Sequence, residues 1–134
     1  MKKILSTLCI VALSATTYAQ ADTDIVNIPD TSFKTVLLSN YYNIDSNKDG
    51  QISYGEAKSF NGNIFARDIN IKSLKGIEAF VNLKGLYCEN IKLTELDISK
   101  NINLLTLGCG GNLLSKLDLT KNPLLEELIC ERNQ

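Results

Sequence analysis

Between residues 45 and 56 the chain reads DSNKDGQISYGE, and oxygen-bearing side chains recur through it at Asp45, Asn47, Asp49, Ser53 and Glu56. Carboxylate, amide and hydroxyl oxygens are hard donors, the set taken by a hard cation such as calcium, whereas softer metals favour imidazole or thiolate. Gly50 lies among them. Glycine adopts positive φ at little cost, which lets a chain fold back so that oxygens on both sides meet one ion. Other chemistry is sharply limited. The chain has no His and no Trp, which excludes imidazole acid–base catalysis, Ser-His-Asp and Cys-His nucleophiles, and every imidazole metal site.

The stretch resembles the calcium loop of the EF-hand, position for position. The resemblance implies that Asp45, Asn47 and Asp49 are side-chain ligands, that Gln51 offers its backbone carbonyl, that Ser53 gives a hydroxyl or a bridging water, and that Glu56 closes the site as a bidentate carboxylate. It also implies that Ile52 points to the core. A loop of this kind needs helices on both sides. Asp30 suits an N-cap, with Phe33, Val36, Leu37 and Tyr41 following at helical spacing; the outgoing helix runs from about Tyr54 to Phe60 and is cut off by Asn61-Gly62-Asn63. EF-hands pair through the position of Ile52, but the chain has one such loop. Ile52 is therefore expected to rest on the segment that follows, near Ile64 and Ile69.

That segment is periodic. Cys88, Cys109 and Cys130 are 21 residues apart, and the register holds through Leu83/Leu104/Leu125, Leu86/Leu107/Leu128, Leu93/Leu114, Leu96/Leu117, Asp97/Asp118, Ile98/Leu119 and Asn101/Asn122. A partial earlier copy places Ala66, Ile69, Ile71 and Leu74 against Cys88, Ile91, Leu93 and Leu96. LKGLYCENIKLTELDISKN and LLTLGCGGNLLSKLDLTKN resemble the leucine-rich repeat family, in its short 21-residue class from secreted and surface proteins of bacteria. The resemblance implies a solenoid of short parallel strands. Inward residues then stack coil on coil into a core that no single repeat could bury alone. The expected fold class is an α+β repeat protein: a leucine-rich repeat solenoid over residues 64–134, incomplete at its C-terminal end, behind an N-terminal helix and EF-hand-like cap over residues 22–63. Solenoids expose an apolar end and need such a cap.

The three cysteines share an inward column and are expected to be small buried hydrophobes. Adjacent parallel strands are about 4.8 Å apart, but parallel Cβ vectors suit a disulfide poorly, and a thiolate metal site would need Cys-x-x-Cys spacing or a fourth ligand. Asn101 and Asn122, and likewise Asn112 and Asn133, suit turns where a side chain satisfies backbone groups, although Ile91 interrupts the second series. Asp97 and Asp118 would lie about 5 Å apart in adjacent coils, as in a retaining glycosidase pair. They recur because the repeat recurs, and the chain is expected not to be an enzyme.

The first 21 residues, with Lys2 and Lys3, an apolar run from Ile4 and small residues at Ala19-Gln20-Ala21, are expected to form a secretory signal peptide that carries Cys9 away, cleaved after Ala21, with cleavage after Ala19 nearly as compatible. The apolar run is too short to span a membrane, which leaves no transmembrane segment after cleavage. The remaining 113 residues carry 12 basic and 15 acidic groups, a balance that attracts no nucleic acid. The expected product is a secreted or cell-surface interaction module. It presents Lys84, Gly85, Tyr87, Glu89, Asn90, Thr106, Gly108 and Gly110 to an unidentified extracellular protein or glycan, with calcium stabilising the cap. Calcium binding as the function in itself is the alternative, and an accessory region of a longer secreted enzyme is a remoter one. Self-association or fraying is expected at the unfinished last coil, through Leu125, Leu128 and Cys130.

Overall fold

A computed structural model describes residues 20–134. Residues 1–19 of the expected signal peptide, Cys9 among them, lie outside these residues. Two short helices come first, α1 at Thr31–Leu37 and α2 at Tyr54–Ser59, followed by four three-residue strands: β1 at Asn63–Phe65, β2 at Gly85–Tyr87, β3 at Thr106–Gly108 and β4 at Glu127–Ile129. The strands form one parallel sheet in the order β1-β2-β3-β4. Its register follows the repeat. Leu86 lies opposite Leu107 and Leu107 opposite Leu128, a step of 21, while Ile64 lies opposite Leu86, a step of 22.

Each coil leaves the sheet, turns, and returns one strand further on, which stacks like residues in columns. Leu83, Leu86, Cys88 and Leu93 of one coil are buried, as are Leu104, Leu107, Cys109 and Leu114 of the next. Polar turns inside this stack are held by asparagines. Asn112, 3% exposed, donates from Nδ2 to the carbonyls of Cys88 (2.8 Å) and Cys109 (2.9 Å), and its Oδ1 accepts from the N–H groups of Ile91 and Leu93. Asn133 repeats the pattern on Cys109 and Cys130. Asn101 donates to Ile77 and Phe80, and Asn122 to Ile98 and Asn101. Buried backbone groups that lack a partner are expensive, so these amides are the reason the coils can turn inside an apolar stack. Ile91 takes the inward place in its own coil and is 1% exposed.

Two sequence expectations are corrected. Ile69 is 73% exposed, so in the first coil the inward places go to Ala66, Ile71 and Leu74 only. Tyr41 is 79% exposed because α1 stops at Leu37, where Leu38 is the C-cap. The helical spacing from Phe33 therefore ends before it reaches Tyr41. Tyr42 turns inward instead and meets Phe60 edge-to-face, with centroids 6.0 Å apart. In the last coil Leu128 and Cys130 are exposed and Leu125 is half-buried. Among the described residues no helix is long and apolar enough to cross a membrane.

Asp30 ties α1 to the first coil. It is the N-cap of α1, accepting from the Phe33 N–H at 2.9 Å, and its second carboxylate oxygen accepts from the N–H groups of Lys72 (2.7 Å) and Ser73 (3.1 Å) in the first coil. Partial burial alone would raise its pKa, but these backbone donors outweigh burial and lower it.

Candidate functional site

The loop of residues 45–56 is wound on itself by its own side chains. Asp45 accepts from the N–H groups of Asp49 (3.1 Å) and Gly50 (2.9 Å), Asn47 Oδ1 accepts from Asp49 N–H (3.0 Å), and Asp49 accepts from Gln51 N–H (2.8 Å). Lys48 and Gly50 hold positive φ, at 62° and 78°. Ser53 caps α2 in a reciprocal box with Glu56. Glu56 then does more than cap. Its Oε2 takes the Ser53 N–H and hydroxyl, while its Oε1 reaches back to the Ser46 N–H (2.9 Å), the Ser46 hydroxyl (3.0 Å) and the Asn47 N–H (3.3 Å). Burial pushes its pKa up, but those donors more than reverse the effect and lower it to about 2.

The end of the loop thus closes on its beginning, the connection that a bidentate ligand at its last position requires. The oxygen-only donor set suits a hard cation in composition and chain path. Among the described residues no group of three or more His, Cys, Asp or Glu side chains is drawn together closely enough to hold a metal. The oxygens of Asp45, Asp49 and Glu56 are occupied by N–H and O–H donors of the loop itself. A calcium ion would have to displace some of these donors, Ser46 and Asn47 at Glu56 above all.

The pairing expected of Ile52 is met by a different segment. Its carbonyl accepts from the Val26 N–H at 2.8 Å, Ile25 and Ser53 form an antiparallel bridge, and Asp24 and Asp22 accept from the N–H groups of Tyr54 and Gly55. Residues 22–26 thus run along residues 52–55, and Ile52 is 1% exposed in the same core as Ile64. Exposed Ile69 takes no part in that core.

The outer face of the sheet carries a second arrangement. Phe65 on β1 and Tyr87 on β2 stack with centroids 4.7 Å apart and 9° between planes. Arg67 lies over both rings, at 5.4 and 5.3 Å, and grips Glu89 through Nε (2.8 Å) and Nη2 (3.0 Å). Glycine permits this. A Cβ on Gly108 would lie 3.3 Å from the Tyr87 ring and would clash with the Glu89 carboxylate. Of the residues expected to face outward, Gly85, Gly108 and Gly110 are buried, Lys84, Tyr87, Glu89 and Thr106 are half-buried, and Asn90 is exposed. Phe65 and Arg67 went unread in the sequence, although they precede Tyr87 and Glu89 by the 22-residue step that relates the first two coils.

Asp97 and Asp118 hold turns. Each accepts from a backbone N–H two residues on, in Ser99 and Thr120, at 2.9 Å. Those bonds lower both pKa values, so neither carboxyl is the proton-bearing acid a glycosidase pair needs.

No family model matches the chain, and no curated protein sequence matches it significantly. Solved structures do. The chain is similar to the functional domain of InlJ from Listeria monocytogenes, which includes a cysteine ladder, at 27% identity and a TM-score of 0.67 over 88% of this chain. It is similar in fold to an internalin, InlF, from the same organism (21% identity, TM-score 0.62, 83% of this chain) and to the CBM51-2 and INT domains of ZmpB from Clostridium perfringens (23%, 0.54, 70%). The chain spans 26%, 33% and 19% of those three chains. The fold is of the bacterial leucine-rich-repeat type.

Proposed function

We propose that this protein is a secreted or surface interaction module that binds a protein partner with the outer face of its sheet. One observation carries the reading: a stacked Phe65–Tyr87 pair clamped by an Arg67–Glu89 ion pair, prearranged on the strands. Aromatic and arginine side chains dominate the energetic centres of protein interfaces, and a group that is already rigid loses little entropy on binding. The similarity to the InlJ domain and to an internalin supports a repeat scaffold of this kind. The test is saturable binding of the purified protein to an array of extracellular protein domains. Tyr87→Ser should abolish it while leaving the melting temperature within about 3 °C of wild type. Binding that survives Tyr87→Ser, or no saturable binding on the array, overturns the reading.

Calcium belongs to the same proposal as a structural ion. The side chains of Asp45, Asn47, Asp49, Ser53 and Glu56 and the backbone of Gln51 would hold it, and its chemistry there is to neutralise and rigidify the loop. Support comes from the donor set and from Glu56 closing on the loop's start. The surrounding bonds give the ion its leverage, since the loop is tied to residues 22–26 on one side and runs into α2 on the other. Calorimetric titration with calcium chloride should give one site, and a flat titration excludes it.

A further inference from the structure

Beside the loop, α2 and the turn that leads into β1 enclose an open cleft of about 940 Å³, which shares Asn47, Ser53 and Glu56 with the calcium proposal along one edge and is otherwise unused by the readings above. Its aromatic walls are Tyr42 and Phe60. Tyr42 is fixed at both ends, since its hydroxyl accepts from the Phe65 N–H at 2.9 Å and its ring meets Phe60 edge-to-face. Phe60 lies against Gly62, where a Cβ would come within 2.9 Å of the ring, so a side chain at position 62 would push this wall out of place. The remaining lining is chiefly amide and hydroxyl, with Asn43, Asn61, Asn82 and Ser59 prominent.

The charges in the cleft are already matched. Lys58 pairs with Asp22 at 3.8 Å, and both oxygens of Glu56 take donors from the loop. The amides are not. The side chains of Asn43 and Asn61 are exposed and bond to no other described residue, whereas Asn82 is anchored by donating to the Lys58 carbonyl at 2.8 Å. Apart from Glu56, which belongs to the calcium proposal, a charged ligand would meet only the exposed Lys58–Asp22 pair. A neutral ligand with an apolar face and a rim of groups that both donate and accept would find two fixed rings and two free amides, each with paired donor and acceptor atoms.

We propose that this cleft binds a neutral oligosaccharide. A pyranose ring has one face of C–H groups to lay on Tyr42 or Phe60 and hydroxyls that an asparagine amide can bridge in pairs, and the volume is ample for a short chain of them. The site is separate from the outer face of the sheet and does not rest on the protein-partner reading, so either can fail without the other.

The test is a two-dimensional NMR titration of the purified protein with chitotriose, cellotriose and mannotriose, and with anionic sialyllactose as the charged comparison. At least one neutral sugar should bind saturably, with the largest shift changes at the amides of Asn43, Asn61, Gly62 and Asn82. Asn61→Ala, and Asn43→Gly because position 43 holds a positive φ of 51°, should each weaken it at least tenfold with the melting temperature within about 3 °C of wild type. Absence of saturable binding by all three neutral sugars overturns the proposal. So does tighter binding of sialyllactose, mapping of the changes to Phe65 and Tyr87, or undiminished affinity in both asparagine variants.

Discussion

Asp30 and Lys72 lie 42 positions apart in the chain and are joined by a 2.7 Å hydrogen bond from the Lys72 backbone N–H to the Asp30 carboxylate. The same side chain starts α1, so one carboxylate both begins the cap helix and docks it on the first coil. Asp30→Ala should lower stability by about 2 kcal/mol, combining a lost N-cap with charge-assisted bonds to two further donors. That corresponds to a melting temperature roughly 6–10 °C lower. Lys72→Ala should change little, because the donor is backbone. Equal effects of the two substitutions in thermal melts would refute the docking role.

The acid limb of stability should depend on Glu56. Its pKa is lowered from 4.5 to about 2 on folding, so its contribution is complete above pH 4.5 and is lost as pH falls toward 2. Asp30, Asp97 and Asp118 are shifted in the same direction. In calcium-free buffer, Glu56→Gln should flatten part of the decline in stability between pH 4.5 and 2 and leave the remainder to those three. A wild-type melting temperature that does not fall across this range would contradict the assignment.

Calcium should raise the melting temperature by a few degrees. An unpaired loop with three carboxylates suggests a dissociation constant on the order of 0.1 mM, and at about 1 mM calcium mass action then contributes about 1.4 kcal/mol. Glu56→Gln should erase that increment and Lys48→Ala should preserve it, while magnesium should do less than calcium. Melting curves of the three proteins in EDTA and in excess calcium decide the point; an undiminished shift in the Glu56 variant would show that the loop is only an acidic turn.

The cysteines should separate by position. Burial raises the Cys109 pKa to about 11 and that of Cys88 further, whereas Cys130 is exposed. Alkylation of the native protein followed by mass spectrometry should mark Cys130 within minutes and leave Cys88 and Cys109 unmodified until denaturant is added. Prompt labelling of Cys88 would be incompatible with its place in the core.

Asn112→Ala should be among the most damaging single changes, by about 3–5 kcal/mol, because it strands the carbonyl of Cys88 and the N–H groups of Ile91 and Leu93 inside the stack. Thr94→Ala, at an exposed position nearby, should lie within about 1 kcal/mol of wild type in urea unfolding.

The solenoid was legible because its core is written periodically: Leu86, Leu107 and Leu128 pair at the spacing that aligns the cysteines. The asparagine turns were legible for the same reason. Where the sequence misled, a local pattern outran its element. Tyr41 continues the spacing of Phe33 and Leu37 past the end of α1, and Ile69 aligns with Ile91 but lies beside Asp68 and Asn70 in a polar exposed turn. Of the ties between the N-terminal segment and the first coil, only the shared core of Ile52 and Ile64 was legible. Asp30 with Lys72 and Tyr42 with Phe65 join residues of unrelated pattern across 42 and 23 positions, and Val26 with Ile52 does the same within the N-terminal segment. The Arg67–Glu89 clamp stood one column beyond Ala66 and Cys88 at the same 22-residue step, but opposite charges in one column show no repeated residue type, and only repetition marked the alignment.

The asparagine amides all reach toward the preceding coil: Asn101 to Ile77, Asn112 to Cys88, Asn122 to Ile98 and Asn133 to Cys109. Each coil therefore brings donors for carbonyls already laid down, and Asn112 and Asn133 also accept from N–H groups of the coil before, so a coil's polar groups are completed when its successor arrives. Proteins are synthesised N-terminus first, and their early segments can settle before the later ones emerge. A chain bonded in this way is finished one turn behind its own synthesis, each new coil closing the polar groups of the last.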